Sequence, residues 1–541
     1  MPADVVKLDD RRLRKTGAAQ LARELMGLPA KRRLELILER PDAQSVTRAL
    51  EANDFFHTIQ EIGPDDSLSL LALASIEQVN HLFDIEWWRR DSLEPAKALA
   101  WLERLTGAGE EKLFEWISKA DYELLVTLFK QWISVDTAPE DIDMIEAAES
   151  LPPMSLDNFY FWESRYPQFD DLITQMLTII FETNYVFFKE LLNSVIYAPA
   201  PEVEESALRF HRARLEDHGI PDFYDALEIY RVIGAGEFTE KIVFAQGEAA
   251  PAAPTFALAL LPPQDLFAKT LARLEDPDLV ETLQAETAAL ANKVIIADQI
   301  APDDARALRR AVDKTLAYIN LGLELRSGAN LEKASQIVGN NFLEHLFRLA
   351  QAEVARVRGR LRKTVAGGIK HLDGEWHEGA EELLATTPKI FRSGRTSYDF
   401  FRTPSDLARA SHFVDVIIAA GDLYKRLTGN TREPGTASGE DVTVGMVVLT
   451  AAANLLLSGK WSAQPLRQPS WPEIFSSVHP RTIRGAVTKG IEGTVSEAKR
   501  RSLVLTYLDP ILRDYELEMG AFSLKGPPDP QLVRFFVFTE E

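Results

Sequence analysis

The sequence predicts a mainly α protein, with solenoid-like stacked helix pairs at the N-terminus, further helical domains after them and minor β structure. Three observations carry this. Apolar residues recur at three- and four-residue spacing along most of the 541 residues. Turn signals such as "GLPAK" and "EIGPDD" cut that pattern into short pieces. Val46, Leu50 and Phe55 match Val79, Phe83 and Trp88 at an offset of 33 (46 to 79, 50 to 83, 55 to 88), and Val79 and Phe83 are echoed by Leu125 and Phe129 at an offset of 46 (79 to 125, 83 to 129). Unequal offsets in this range read as degenerate helical repeats, whose helix pairs bury their apolar faces only by stacking.

Residues 18–135 form the helical-repeat domain. "EIGPDDSLSLLALA" stops one helix at Gly63–Pro64 and offers Asp65 or Asp66 as a cap for the next. "DIEWWRRDSLEPAKALAWLERL" holds three tryptophans, Trp87, Trp88 and Trp101, and three arginines, Arg89, Arg90 and Arg104. Trp88 takes the repeat position of Phe55 and is expected in the core. Ser92 is the expected cap of a helix whose stripe is Ala98 or Leu99, Trp101, Leu102 and Leu105. The arginines then read as solvated rim, against the alternative of an aromatic and basic binding surface.

Residues 136–233 are a connector followed by a helical hairpin. "NFYFW" is a short strand and "DLITQMLTIIFETNYVFFKELLNSVIY" an apolar helix or helix pair. In the hairpin, Gly219 stops the first helix and Asp222 caps the second. Residues 234–262, rich in Gly, Ala and Pro, read as a linker with one possible strand in "EKIVFA". Residues 263–400 are helical, and "NNFLEHLFRLAQAEVARVRGRLRK" is the expected longest helix. Its seam is Leu343, Leu346, Phe347, Ala350, Val354, Val357 and Leu361, and Gly367–Gly368 ends it. Residues 401–541 hold three or four more helices, and "LVRFFVFTEE" is a terminal strand or docked tail.

Composition narrows the chemistry. The absence of cysteine excludes disulfides, thiol nucleophiles and zinc–thiolate sites. A net charge of −22 opposes binding that relies on phosphates. The charged start "MPADVVKLDDRRLRKTGAAQ" has no signal-like apolar run, so a cytoplasmic setting is expected. "VTVGMVVLTAAANLLL", Val442 to Leu457, is shorter than the roughly 20 residues that span a bilayer and reads as a buried helix.

Three clusters invite a functional reading. In "HLDGEWHE", His371, Asp373, Glu375 and His377 would share a face on a strand and could hold a metal, but Gly374 and the pattern after it favour a loop entering a helix. In "RFHRARLEDHG", His211 lies on the apolar stripe. Arg212 with Glu216 and Arg214 with Asp217 look like ion pairs dressing a solvated face, and no nucleophile accompanies a general base. Arg356, Arg358, Arg360, Arg362 and Lys363 suit a helix C-terminus, or a local nucleic-acid site. Phosphate-loop, dinucleotide, zincin and G-x-S-x-G motifs are absent. No catalytic, cofactor-binding or metal residue is assigned.

The segment "LPAKRRLELILERPDAQSVTRALEANDFFHTIQEIGPDDSLSLLALASIEQVNHLFD", residues 28–84, resembles the cytosolic helical-repeat domain of bacterial magnesium transporters, to which flagellar motor-switch proteins are related in fold. With "RARLEDHGIPDFYDALEIYR" and "ALANKVIIADQIAPDDARALRRAV" added, the arrangement resembles a family of large uncharacterised bacterial proteins. The resemblance implies a helical-repeat fold and no activity, and it carries over no site residue. The expectation is a non-enzymatic scaffold or protein-interaction module whose partner is another protein. The alternatives are an enzyme of unrecognised class, with its site between the middle and C-terminal helical domains, and nucleic-acid binding through the basic helix.

Overall fold

The computed structural model describes residues 16–138, 151–231, 241, 253–365, 371–391, 398–429, 442–467, 478–522 and 534–539. It is mainly helical with a few short strands, as expected. The chain divides into two compact units, one of residues 1–319 with 329–348, the other of 320–328 with 349–541.

Among the described residues the first unit opens with nine helices: α1 (Ala18–Leu25), α2 (Ala30–Leu38), α3 (Ala43–Arg48), α4 (Ala52–Ile62), α5 (Leu68–Leu73), α6 (Ile76–Glu86), α7 (Pro95–Ala108), α8 (Glu110–Lys119) and α9 (Tyr122–Trp132). Each packs against the one two places along: α1 on α3, α2 on α4, and so on to α7 on α9. Short helices with one apolar face bury it best against neighbours on both sides, and this order provides two. Val46, Val79, Phe83, Leu125 and Phe129 are all buried. The offset of 33 nevertheless does not map like onto like, because Val46 and Phe55 lie in the helices α3 and α4 while their matches lie in a helix, Val79 in α6, and in a strand that begins at Trp88. Apolar residues at helical spacing match at many offsets.

The tryptophan stretch departs from expectation. α6 stops at Glu86, and a hairpin of β1 (Trp88–Arg89) and β2 (Ser92–Leu93) follows, with Arg90 at φ 58° in its turn. The period changes from 3.6 to 2, so Trp87 and Trp88 point to opposite sides. Trp87 is the core residue, 1% exposed and stacked on Phe83 at 4.1 Å. Trp88 is half-buried. Ser92 is in the strand, and Glu94 takes the cap position of α7. Ala98, Leu99, Trp101, Leu102 and Leu105 are buried as predicted. Asp65 and Asp66 sit in a 3-10 turn before α5 and cap nothing; Asp65 pairs with Arg104 at 2.7 Å.

Next comes a three-stranded antiparallel sheet, β3 (Ile133–Thr137), β4 (Met154–Ser155) and β5 (Tyr160–Ser164), with β5 in the middle. The apolar run then splits at Asn184 into α10 (Asp170–Thr183) and α11 (Tyr185–Tyr197), because the Asn184 side chain accepts from Phe187 N and caps α11. The hairpin is α12 (Ala200–Asp217) and the short α13 (Phe223–Leu227), with Gly219 at φ 72° and Asp222 accepting from Tyr224 N. Both flanks of 234–262 belong to this unit. Of the "EKIVFA" strand only Lys241 falls within the described residues. α14 (Leu266–Leu271), α15 (Pro277–Ala297), α16 (Ala305–Ser327), α17 (Leu331–Asn340) and α18 (Leu343–Thr364) follow, the unit boundary falling within α16 and α18. All seven predicted seam residues of α18 are buried. At 22 residues α18 is not the longest helix. Gly367 and Gly368 lie outside the described residues.

The second unit contains α19 (Gly374–Leu384), a ribbon of β6 (Ile390–Phe391) and β7 (Tyr398–Asp399), then α20 (Pro404–Thr428), α21 (Val444–Ser458), α22 (Pro480–Thr494) and α23 (Ala498–Phe522). α20 and α23, at 25 residues each, are the longest. α21 is buried over most of its length against α20 and α22. The C-terminal tail docks beside it: Thr450 Oγ1 accepts from Val537 N at 2.9 Å, and Phe538 bridges Leu466. Among the described residues, no helix is long and apolar enough to cross a membrane. Asp373 lies just before α19, yet its carboxylate serves α21, accepting from Gly445 N at 2.8 Å and Tyr507 Oη at 2.9 Å.

Two stability outcomes follow from this packing. Trp87→Ala should cost about 3–5 kcal/mol, the range for a buried aromatic, and Trp88→Ala clearly less; urea unfolding of both variants checks the ranking. Gly445→Ala would place a Cβ 2.6 Å from Asp373 Oδ1 and 3.0 Å from Ile511 Cγ2. It should destabilise by roughly 1–3 kcal/mol, as overpacking does, and a melt indistinguishable from wild type would contradict the Asp373–Gly445 contact.

Candidate functional site: a buried polar seam

Four helices of the first unit direct polar side chains into one interior seam. α4 supplies Asn53, Asp54 and His57. α6 supplies His81 and Asp84, one turn apart. α12 supplies His211 and Arg214, with His218 just past its end, and α15 supplies Asn292. His57, His81, His211 and His218 are four of the nine histidines in the chain, so the seam concentrates them.

At one end Asp84 is buried. Arg214 donates to it twice, from Nε at 2.7 Å and Nη2 at 2.8 Å, and His211 Nδ1 lies 3.3 Å away. Arg214 also pairs with Asp121. Burial alone would push the Asp84 carboxyl up; the hydrogen bonds from Arg214 and His211 outweigh it and hold the group below its ordinary range. Trp88 stacks on His211, rings 4.4 Å apart. The expected pairing of Arg214 with Asp217 gives way to Asp84 and Asp121. Arg212, expected opposite Glu216, pairs with Asp91 and Asp222 instead. Both arginines face neighbouring elements, which sequence spacing along one helix does not reveal.

In the middle, Asn53 Nδ2 donates to His218 O at 3.2 Å, and Asn53 Oδ1 accepts from His81 Nε2 at 3.3 Å. Asn292 Nδ2 donates to Gly219 O at 3.4 Å. The His81 and His218 rings are 4.3 Å apart. Burial, with His218 adding to it, lowers His81 to about 3, so it is neutral.

At the other end Asp54 holds a strap. Its carboxylate accepts from Thr255 N at 2.8 Å, Thr255 Oγ1 at 2.7 Å and Phe256 N at 2.6 Å. The Phe256 ring stacks on His57 at 4.0 Å. Gln284 Nε2 fixes Ala253 O at 2.8 Å. The described end of the expected linker, from Ala253, is therefore packed down. Burial raises Asp54 to about 6 despite these donors. Burial and the nearby Arg33 lower His57 to about 3. Beside His57 a cleft lined by Gln60, Glu61, Phe256 and Arg309 has room for little more than a water molecule.

A separate triad joins Tyr230, Asp298 and Lys314. Tyr230 Oη donates to Asp298 at 2.6 Å, and Lys314 Nζ donates to both partners at 2.7 Å. Burial lowers the Lys314 ammonium and raises the Tyr230 phenol.

The residues singled out in the sequence lie mostly elsewhere. His371 Nδ1 is 3.0 Å from Val442 O, Asp373 turns to α21, Glu375 is exposed and His377 faces Glu381 at 3.8 Å. They form the predicted loop and helix start and do not converge. Among the described residues no group of three or more His, Asp or Glu side chains is placed to hold a metal. In the basic end of α18, Arg358 donates to Leu384 O, Arg360 engages Ser411 and Asp415, and Arg356 pairs with Glu353; Arg362 and Lys363 are exposed. His211 is buried at the core edge, as read. Asn53, Asp54, His57, His81 and Asp84 were missed. The available signal was polar residues inside otherwise apolar helices, in "NDFFHTIQ" and "QVNHLFDIE".

A family model described as a family of unknown function (DUF6178) matches residues 10–539. No curated protein and no solved structure matches.

The seam sets a pH dependence. His57 and His81 have folded values near 3 against 6.5 unfolded, so the stability from burying them neutral is present above pH 6.5 and is lost as pH falls towards 3. Asp54, at about 6 folded against 3.8, works the other way: its contribution grows as pH falls through 6. Two histidines outweigh one carboxyl, so the wild type should lose stability between pH 7 and 4. Urea midpoints should fall less over that range for His81→Gln than for wild type; equal slopes would mean His81 is not buried neutral.

Proposed function

Since the chain belongs to the DUF6178 family, of unknown function, we propose its role from geometry: it is a protein-interaction module that docks a partner on the first unit. One observation carries this. Large apolar side chains stand in solvent on neighbouring elements: Val186 at 65% and Tyr185 at 45% open α11, and Phe159 at 44% precedes β5. Asp157 fixes their relation, donated to by Tyr185 Oη at 3.2 Å and by Phe159 N at 2.9 Å. Burying such side chains against a partner is favourable by about 1.5–3 kcal/mol each, and exposed aromatics are the residues that dominate interfaces.

Two further observations support the reading. The packing of each early helix on the one two along agrees with a solenoid-like stack, an architecture that presents extended surfaces to partners. It also agrees with the likeness of residues 28–84 to the helical-repeat domain of magnesium transporters. Within the seam Asp84 is engaged by Arg214 and His211, and Asp54 by Thr255 and Phe256, as structural buried groups are. A chain without cysteine suits the reducing cytoplasm, where we place this role.

Val186→Asp should leave melting within about 0.5 kcal/mol of wild type, as exposed substitutions do, and should remove proteins that the wild type retains from native lysate. Identical captured sets from both would overturn this face as the docking surface.

A further inference from the structure

We infer that the partner docked on α11 is a basic amphipathic segment, a helix with Lys or Arg flanking an apolar stripe; this rests on the interaction reading above. Val186, Glu190, Asn193 and Tyr197 are spaced four, three and four apart and so lie along one face of α11. Val186 and Tyr197, at 65% and 72% exposure, mark its two ends, and Glu190 stands exposed between them. Asn193 is held by Tyr160 Oη at 2.9 Å. The face is thus apolar at both ends and anionic between.

The exposed charge around it is mostly acidic, while the half-buried Lys130 donates to Val195 O on α11. From Glu182 to Glu205 the exposed charged side chains are Glu182, Glu190, Glu202, Glu204 and Glu205 against Lys189 alone. Lys189 lies over the Tyr185 ring at 5.7 Å. Of these carboxylates, Glu204 accepts only a long contact from Gln131, at 3.4 Å. Such a surface repels nucleic acid and anionic lipid. It steers a cationic segment towards it, while Val186 and Tyr197 supply the apolar contact that charge alone does not.

The experiment uses the full chain, a labelled Leu/Lys amphipathic helical peptide and its Leu/Glu counterpart, read by fluorescence anisotropy. The Leu/Lys peptide should bind at least about tenfold more tightly, with a preference that shrinks as salt rises. Glu182→Lys with Glu190→Lys should weaken it about tenfold, a charge effect of the size seen at interfaces. Val186→Asp should weaken it further. Glu332→Lys, a charge reversal on α17, should leave it unchanged and so separates this face from the general acidity of the chain. Equal affinity for the two peptides, no binding of either, or an equal effect of Glu332→Lys would overturn the inference. If it falls while Val186→Asp still abolishes capture from lysate, the docking face stands and only its preference for basic segments is wrong.

Discussion

A charge taken out of water must find a partner there, and in the first unit that requirement decides how distant helices meet. Asp84 on α6 and Arg214 on α12 are 130 residues apart in sequence and joined by two hydrogen bonds. Removing Arg214 would leave the buried Asp84 with His211 alone, a loss of the kind that costs about 3–5 kcal/mol. Because α6 already belongs to the run of early helices, this pair fixes α12 to that run, and with α12 come His211, His218 and the turn at Gly219. Asp54 does the same for the strap and, through Gln284, for α15. Apolar burial supplies most of the stability of such a unit but is tolerant of small sliding. The seam is not tolerant, since its hydrogen bonds exist in one register only.

The same logic recurs on a smaller scale. Glu86 is buried and receives Gln60, Trp101 and Lys97, so α4, α6 and α7 are pinned at one carboxylate. Arg33 is buried beside Thr58 and Glu61, pinning α2 to α4. Burial lowers Arg33 to about 10, which leaves it charged at neutral pH. In the second unit Asp373 plays this part for α19, α21 and α23.

What was legible in the sequence was local. The α18 seam, the cap at Asp222 and the buried α21 all depend on residues within a few turns of one another, where spacing dictates which side chains share a face. The strand "NFYFW" was legible for the same reason. Trp88 was misplaced by a single residue, because the helix ended at Glu86 and the periodicity changed without a glycine or proline to mark it. The seam itself was not legible. Asp54 and Thr255 are 201 residues apart, and nothing near either one specifies the other. Arg214 had a carboxylate three residues away in Asp217, the obvious local partner, and chose two remote ones. Local spacing reveals which side chains could pair; only the fold decides which do.

Lys241 and Ala253 are each fixed by contacts of their own. Lys241 N donates to Asn340 O at 2.7 Å, and its ammonium pairs with Glu286; Ala253 is held by Gln284 on the same helix as Glu286. Lys241 and Ala253 are therefore both tied to α15 within one unit, two described points of the chain moored to the same helix. A polypeptide interrupted between these two moorings would keep each of its new ends held by contacts of its own, so the continuity of the chain at this point is not what keeps its two sides together.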